Sequence, residues 1–289
     1  MQDPLAITYP EPLNAYAKAF TEAIYLPKLK DHLHEVILAF SLYHTLFLLG
    51  PFFGSFVKSY KTLNRRTKLN FDIHIVSQVQ AFLILALSFP SFFDKDLKND
   101  TLFGYSPYAG LVYAFAAGYF AWDTYICVKY VNLFGIGFAI HGIASLIVFS
   151  LSFKPYLMYY GPIFLFFELS TPFLNVHWFA GHLPEGSIPE IVQVINGGLL
   201  LITFFFARIV WGFYWVAILA WDMWNDQSQI NPIFPIVVLT SNFSLDCLNV
   251  FWFSKMISAV KKRLAAAKKG SHSSRDLLTE EEDKGIKIE

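Results

Sequence analysis

The sequence predicts an all-α protein that crosses a membrane seven times, and three observations predict it. Of its 289 residues, 55% are hydrophobic, 18% aromatic and only 15% charged, with a mean hydropathy of +0.44. A soluble domain carries about 25% charged residues. Apolar runs of about twenty residues, long enough to span a bilayer, recur along the chain. The lysines and arginines gather in the segments that seven crossings would place on one side.

Residues 1–33 carry an amphipathic pattern around Leu13 to Leu26, expected to form an interfacial helix. The first apolar run starts near His34, behind a mixed polar segment, so no cleavable signal peptide is expected. The spans cover about 35–57, 73–93, 108–128, 133–153, 156–174, 190–220 and 232–258, within one domain of residues 34–260. Lys154-Pro155 makes a tight hairpin between the fourth and fifth. The sixth is long enough to tilt or bend, with Gly197, Gly198 and Gly212 as places for a bend or a close helix approach. Trp221 and Trp224 read as interface anchors. Residues 261–289 are polar, end in an acidic run from Glu280 to Asp283, and are expected to be a disordered tail. Cys127 and Cys247 both fall in apolar segments and read as free buried thiols.

Orientation follows from charge. Lys58, Lys61, Arg65, Arg66 and Lys68 follow the first span; Lys261, Lys262, Arg263, Lys268 and Lys269 follow the seventh. Both clusters are therefore expected in the cytosol, with the N-terminus lumenal. Asn99-Asp100-Thr101 is a glycosylation sequon in an expected lumenal loop, whereas the sequon at Asn242 lies inside a span. The net charge is zero, so no nucleic-acid partner is indicated.

The chemistry-bearing residues lie inside the spans. A carboxylate at the bilayer centre costs at least ~2.5–3.5 kcal/mol, so Glu168 must face a protein interior or a wet cavity. Glu168, Thr171 and Asn175 are spaced i, i+3, i+7 and share a helix face. Pro172 can bend that helix and release a carbonyl. Counted from the expected cytosolic ends of their spans, Asp123, His141 and Glu168 lie at depths of about 9, 12 and 10 Å. They can form a hydrogen-bonded triad in one layer. Asn242, Asp246 and Asn249 form a second polar stripe. Arg208, the one cation deep within the spans, can pair with Asp246, Glu168 or Asp123; a structural ion pair with Asp246 is the favoured reading. The polar start of span two, with His74, Ser77, Gln78 and Gln80, reads as inter-helical hydrogen bonding. No metal site is expected. His32 with His34, and His177 with His182 and Glu185, both fall short of the three or four ligands that zinc requires.

These residues sit in motifs that resemble the TLC-domain family, which includes ceramide synthases, TRAM proteins and small lipid-homeostasis proteins. The resemblance covers about residues 34–260. It rests on Asn70 to Ala81, Gly118 to Asp123, His141-Gly142, Phe167 to Asn175, Asn196-Gly197, Phe206 to Trp211 and Leu248 to Phe253. The run Glu-Leu-Ser-Thr-Pro-Phe-Leu-Asn, from Glu168 to Asn175, is the most specific and points to the small TLC-domain-only subgroup. The resemblance implies a barrel-like bundle of six helices, spans two to seven, with one helix outside it. It also shows departures. Two of the histidines that ceramide synthases carry fall here on Ile140 and Phe167, their later aspartate falls on Glu168, and a subgroup histidine in span two falls on Gln80.

The resulting expectation is an endoplasmic reticulum membrane protein of lipid homeostasis. It binds or senses an acyl or sphingoid lipid through Asp123, His141, Glu168, Thr171, Asn175, Asn242 and Asp246. An alternative is an N-acyltransferase, with His141 as base, Asp123 or Glu168 orienting it, and acyl-CoA as substrate. A side chain such as Ile140 has no lone pair with which to replace a catalytic histidine, so the enzyme reading ranks second. A lipid or proton-coupled transporter ranks third, for want of internal repeats. No cofactor is expected under any of them.

Overall fold

The computed structural model describes residues 1–57, 59–184, 186–225 and 231–268. Lys58, Glu185, residues 226–230 and the tail from 269 onward lie outside the described residues. Eight principal helices follow one another: α1 (Leu13–Ala23), α2 (Leu29–Ser55), α3 (Arg65–Phe93), α4 (Pro107–Lys129), α5 (Ile136–Leu151), α6 (Tyr160–His182), α7 (Glu190–Asn225) and α8 (Ile233–Lys268). No strand occurs among the described residues.

Six of these helices, α2, α3, α4, α6, α7 and α8, are long and apolar enough to cross a membrane. The segment expected as the fourth span is the shorter α5. Its 16 residues make about 24 Å, somewhat less than a hydrocarbon core of about 30 Å. Several bounds differ from expectation; the second span, for one, begins at Arg65 rather than near residue 73. The first span begins at Leu29 rather than near residue 35. The fifth continues past Asn175 to His182, because Trp178 and Phe179 pack against His74 and Phe71 of α3. The last helix runs on to Lys268, so residues 261–268 belong to it and not to a tail.

Local chemistry starts and ends these helices. Asn64 caps α3 by accepting the Thr67 N–H at 2.8 Å. Pro107 opens α4, where a missing N–H costs nothing. Helix α1 presents Leu13, Tyr16 and Phe20 outward, followed by Ile24 at its C-cap, while burying Ala17 and Thr21. An apolar face turned away from the protein suits a helix lying on a membrane surface.

The helices close a ring. In order, α3, α4, α5, α8, α7 and α6 each pack on the next, and α6 returns to α3. Helix α2 lies outside, against α4 and α3. Helix α4 is the most buried and the richest in small residues, with Ala109, Ala114, Ala116 and Ala117 all inside. Van der Waals contact between close backbones drives such packing where lipid replaces water. Gly118 shows how close: a Cβ there would sit 2.6 Å from Ala39 Cβ of α2. The outward faces are apolar, as Ile136, Ile140, Ile143 and Ile147 of α5 illustrate.

Candidate functional site

All six ring helices contribute to one polar chamber, and α2 contributes nothing to its wall. The lining comes from Ser77 and His74 of α3, Asp123 and Tyr119 of α4, His141 of α5, Glu168, Thr171 and Asn175 of α6, Arg208 of α7 and Trp252 of α8. The chamber offers about 50 Å³ to water-sized occupants. That holds a few waters or one small head group. A second, more apolar compartment shares His141, Glu168 and Arg208 as its wall and adds Phe120, Phe149, Phe167, Asn242 and Asn249.

The backbone departs from the α-helix where the chamber needs it to. Phe166–Ser170 forms a 3-10 turn inside α6, just ahead of Pro172. Phe205–Val210 forms a π-helical turn inside α7, carrying Arg208. Such turns change the direction of a side chain without breaking the helix, and they gather at functional sites. Trp211 Nε1 donates to the Ile163 carbonyl at 3.0 Å and fixes the two irregular helices together.

Arg208 is buried, and its guanidinium donates to three neutral oxygens. Nε donates to Ser170 Oγ at 3.0 Å, Nη2 to Thr171 Oγ1 at 3.3 Å and Nη1 to Asn249 Oδ1 at 3.4 Å. Its flat face lies 5.2 Å from the Phe204 ring centre. The ion pair expected between Arg208 and Asp246 does not form among the described residues; Asp246 is buried on α8 but lines neither compartment. The π turn is the reason, because it aims Arg208 at α6 and Asn249 instead.

Asp123, His141 and Glu168 do meet in the chamber, as their depths predicted. They do not form the expected hydrogen-bonded triad. His141 Nδ1 is buried without a hydrogen-bond partner, and the ring packs edge-on against Phe120 and Trp252, at 6.1 and 5.5 Å. The Cys127 thiol donates to Asp123 Oδ1 at 3.6 Å. Gly142 lets α5 approach Asp123: a Cβ there would stand 2.9 Å from the carboxylate. Ile140, one residue before His141, is 42% exposed on the outer face, so His141 alone of that pair reaches the chamber.

Thr171 and Asn175 lie on the chamber face with Glu168, as the spacing required. The polar start of α3 makes the inter-helical bonds expected of it. His74 Nδ1 donates to Asn175 Oδ1 at 2.8 Å, and Asn175 Nδ2 donates to Gln78 Oε1 at 2.9 Å. His74 stacks on Trp178 at 4.3 Å. It is the histidine of α3 that faces the chamber, whereas Gln80 turns toward α2 and accepts from the Tyr43 hydroxyl. Asn242 borders the apolar compartment and donates to its own helix, at the Val238 carbonyl. Asn99 is exposed at the end of a short helix, Lys95–Asn99. Cys127 is buried as expected, but Cys247 is exposed on the outer surface.

No residue pattern marks the apolar cleft that lies one helical turn from the chamber. It offers about 290 Å³ and is lined by His177, Val194, Gly197, Gly198, Leu201 and Met256, among others. Its Leu200 precedes chamber residue Phe204 by four positions, and its Met256 follows chamber residue Trp252 by four. Along α7 and α8 the two spaces are thus separated by about 5–6 Å. Gly197 and Gly198 admit no close neighbour; a Cβ at either would meet open space. Of the three glycines in α7, only Gly212 makes a close approach, against the Phe167 ring.

A closed ring of six helices around a charged chamber defines a polytopic membrane protein with an internal binding space. The TLC domain model matches residues 70–258, which span α3 to α8. The chain belongs to the TLC-domain family. It is 40% identical to an uncharacterised TLC domain-containing protein of Schizosaccharomyces pombe, over 91% of this chain and 90% of that protein. It is 35% identical to topoisomerase I damage affected protein 4 of Saccharomyces cerevisiae, over 80% of this chain and 85% of that protein. It is 29% identical to TLC domain-containing protein 4 of Homo sapiens, over 68% and 76%.

Proposed function

We propose that this protein binds an acyl or sphingoid lipid, with the polar head in the chamber and the chain in the neighbouring apolar cleft. One observation carries the reading: a small charged space and a larger apolar space lie one turn apart on the same two helices. An amphipathic molecule matches that pair, whereas a small solute would leave the apolar cleft unused. Asp123 and Glu168 suit an ammonium or hydroxyl head, and Arg208 suits an oxygen acceptor beside it. The protein acts in lipid homeostasis as a binder or sensor in the endoplasmic reticulum membrane. It crosses that membrane seven times, α5 included, with the C-terminus cytosolic. The Lys/Arg asymmetry supports this orientation.

Native mass spectrometry of the detergent-purified protein tests the reading. An amphipathic lipid should be retained in about one copy per chain. The same preparation, given acyl-CoA and a sphingoid base, is expected to release no free CoA above background. A protein that retains no lipid, or one whose CoA release depends on His141, would overturn the binder. The second result would favour an acyltransferase, for which the unpartnered Nδ1 of His141 would be the base.

A further inference from the structure

Asp3, His32 and Glu35 offer three ligand atoms that all lie within 4.8 Å of one another. His32 and Glu35 sit in the first turns of α2, the helix that the chamber does not use. Asp3 arrives from the N-terminal strap, residues 1–9, which lies along that helix. The strap is fixed from both sides: His34 Nε2 donates to the Leu5 carbonyl at 2.9 Å, and the Tyr9 hydroxyl meets His34 Nδ1 at 3.0 Å. The Leu5 N–H donates to Asp3 Oδ1 at 2.8 Å, leaving Oδ2 turned to the histidine. His32 Nδ1 is 2.8 Å from Glu35 Oε2 and 3.6 Å from Asp3 Oδ2. All three side chains are buried, at 2%, 2% and 0% exposure.

Two features of this cluster lack an explanation within the chain. Glu35 Oε1 is fully enclosed and has no hydrogen-bond partner. Two enclosed carboxylates also share the His32 imidazole, with His34 Nε2 no nearer to Glu35 Oε1 than 3.7 Å, and they repel each other unless a proton or a cation lies between them. We propose that the cluster binds a divalent cation of the Zn²⁺ type, which fastens the N-terminal strap to α2.

The geometry fits. Tetrahedral ligands at about 2.0–2.1 Å from zinc stand about 3.3 Å apart, and the observed 2.8 and 3.6 Å bracket that value. One imidazole nitrogen and two carboxylate oxygens form a mixed donor set that zinc accepts, with a fourth position left for water. The metal takes Nδ1, so His32 must carry its proton on Nε2. The Tyr105 hydroxyl stands 2.9 Å from Nε2 and accepts it. A hydrogen bond of this kind fixes a metal-binding histidine in one tautomer. The ring reaches this place only because residue 110 is glycine; any Cβ there would collide with His32 Nε2.

The test uses the full-length protein purified without chelator. Elemental analysis is expected to find about one zinc per chain, and EDTA should lower Tm by about 5 °C or more, reversed by added Zn²⁺. Asp3→Asn should weaken Zn²⁺ binding at least tenfold. Tyr105→Phe, which removes only the hydroxyl at Nε2, should weaken it by about 10–100-fold. Asp31→Asn alters a neighbouring but exposed carboxylate and should leave it unchanged. A wild-type protein without metal, whose Tm responds to neither EDTA nor Zn²⁺, would overturn the proposal and leave a proton shared between the acids. Equal zinc content in the wild type and in Asp3→Asn would overturn it too.

Discussion

The central chamber and the N-terminal cluster both bury acids beside a histidine, and they are built on opposite plans. The chamber draws one wall from each of six helices and keeps its carboxylates and imidazole around an open space. Its cation donates to two hydroxyls and an amide oxygen on the chamber wall. The cluster uses α2 and a strap, with the acids in direct reach of the histidine. Burial of charge alone therefore does not identify a ligand site. The distance between charges decides: space around them accommodates a molecule, contact accommodates a proton or an ion.

The sharpest way to break this comparison is to remove the cation of the chamber. Arg208→Leu leaves Asp123 and Glu168 in a buried space without it and strands Ser170, Thr171 and Asn249. Loss of one member of a buried charged network costs about 3–5 kcal/mol. Expression and the Tm in detergent should both fall steeply. Arg208→Lys keeps the charge but cannot reach three oxygens with a planar fork, and it should recover only part of the loss. Wild-type stability in Arg208→Leu would mean that the chamber charges do not depend on one another.

A smaller effect should follow at Glu168. Glu168→Gln preserves shape and hydrogen bonding and is expected to fold while altering the retained lipid. Glu168→Leu removes the polar atoms altogether and should cost ~1–3 kcal/mol for each group left unsatisfied. Equal thermal stability and equal lipid retention in the two variants would show that Glu168 has no important buried partner. His74→Phe comes next. It keeps an aromatic ring on Trp178 but removes the donor to Asn175, and a loss of about 1 kcal/mol in thermal or denaturant unfolding is expected.

Much of this was legible in the sequence, for physical reasons. Membrane spans announce themselves through length and apolarity, and Glu168, Thr171 and Asn175 share a face because helical periodicity is rigid. Depth counting brought Asp123, His141 and Glu168 to one space even though the fifth span ends later than expected. What failed is equally specific. Counting along an α-helix cannot place Arg208, because a π turn inserts itself at Phe205–Val210 and redirects it. Nor can it tell that His141 would pack on Phe120 and Trp252 instead of bonding to an acid. Asp3 reaches His32 through a strap that obeys no period. The apolar cleft depends on how far α7 stands from α8, a distance that no residue pattern encodes.

The smallest expected change in stability is also the most informative about the proposed lipid site. Gly197→Leu places a branched side chain in the cleft, where a Cβ meets no atom within 4 Å. Replacing a mid-helix glycine favours the helix by about 0.5–1 kcal/mol, so Tm should stay level or rise. Retained lipid should nevertheless fall about tenfold, a loss of ~1.4 kcal/mol in binding, because the leucine takes the place of the chain. Gly212→Leu provides the contrast on the same helix. There a Cβ would stand 2.9 Å from the tip of the Phe167 ring, a residue that also lines the apolar compartment, and overpacking of that kind costs about 1–3 kcal/mol. The two glycines should therefore separate binding from stability: one variant folds and binds poorly, the other folds poorly. If Gly197→Leu retained lipid as well as the wild type does, the chain would have to lie elsewhere, and the pairing of cleft and chamber would lose its meaning.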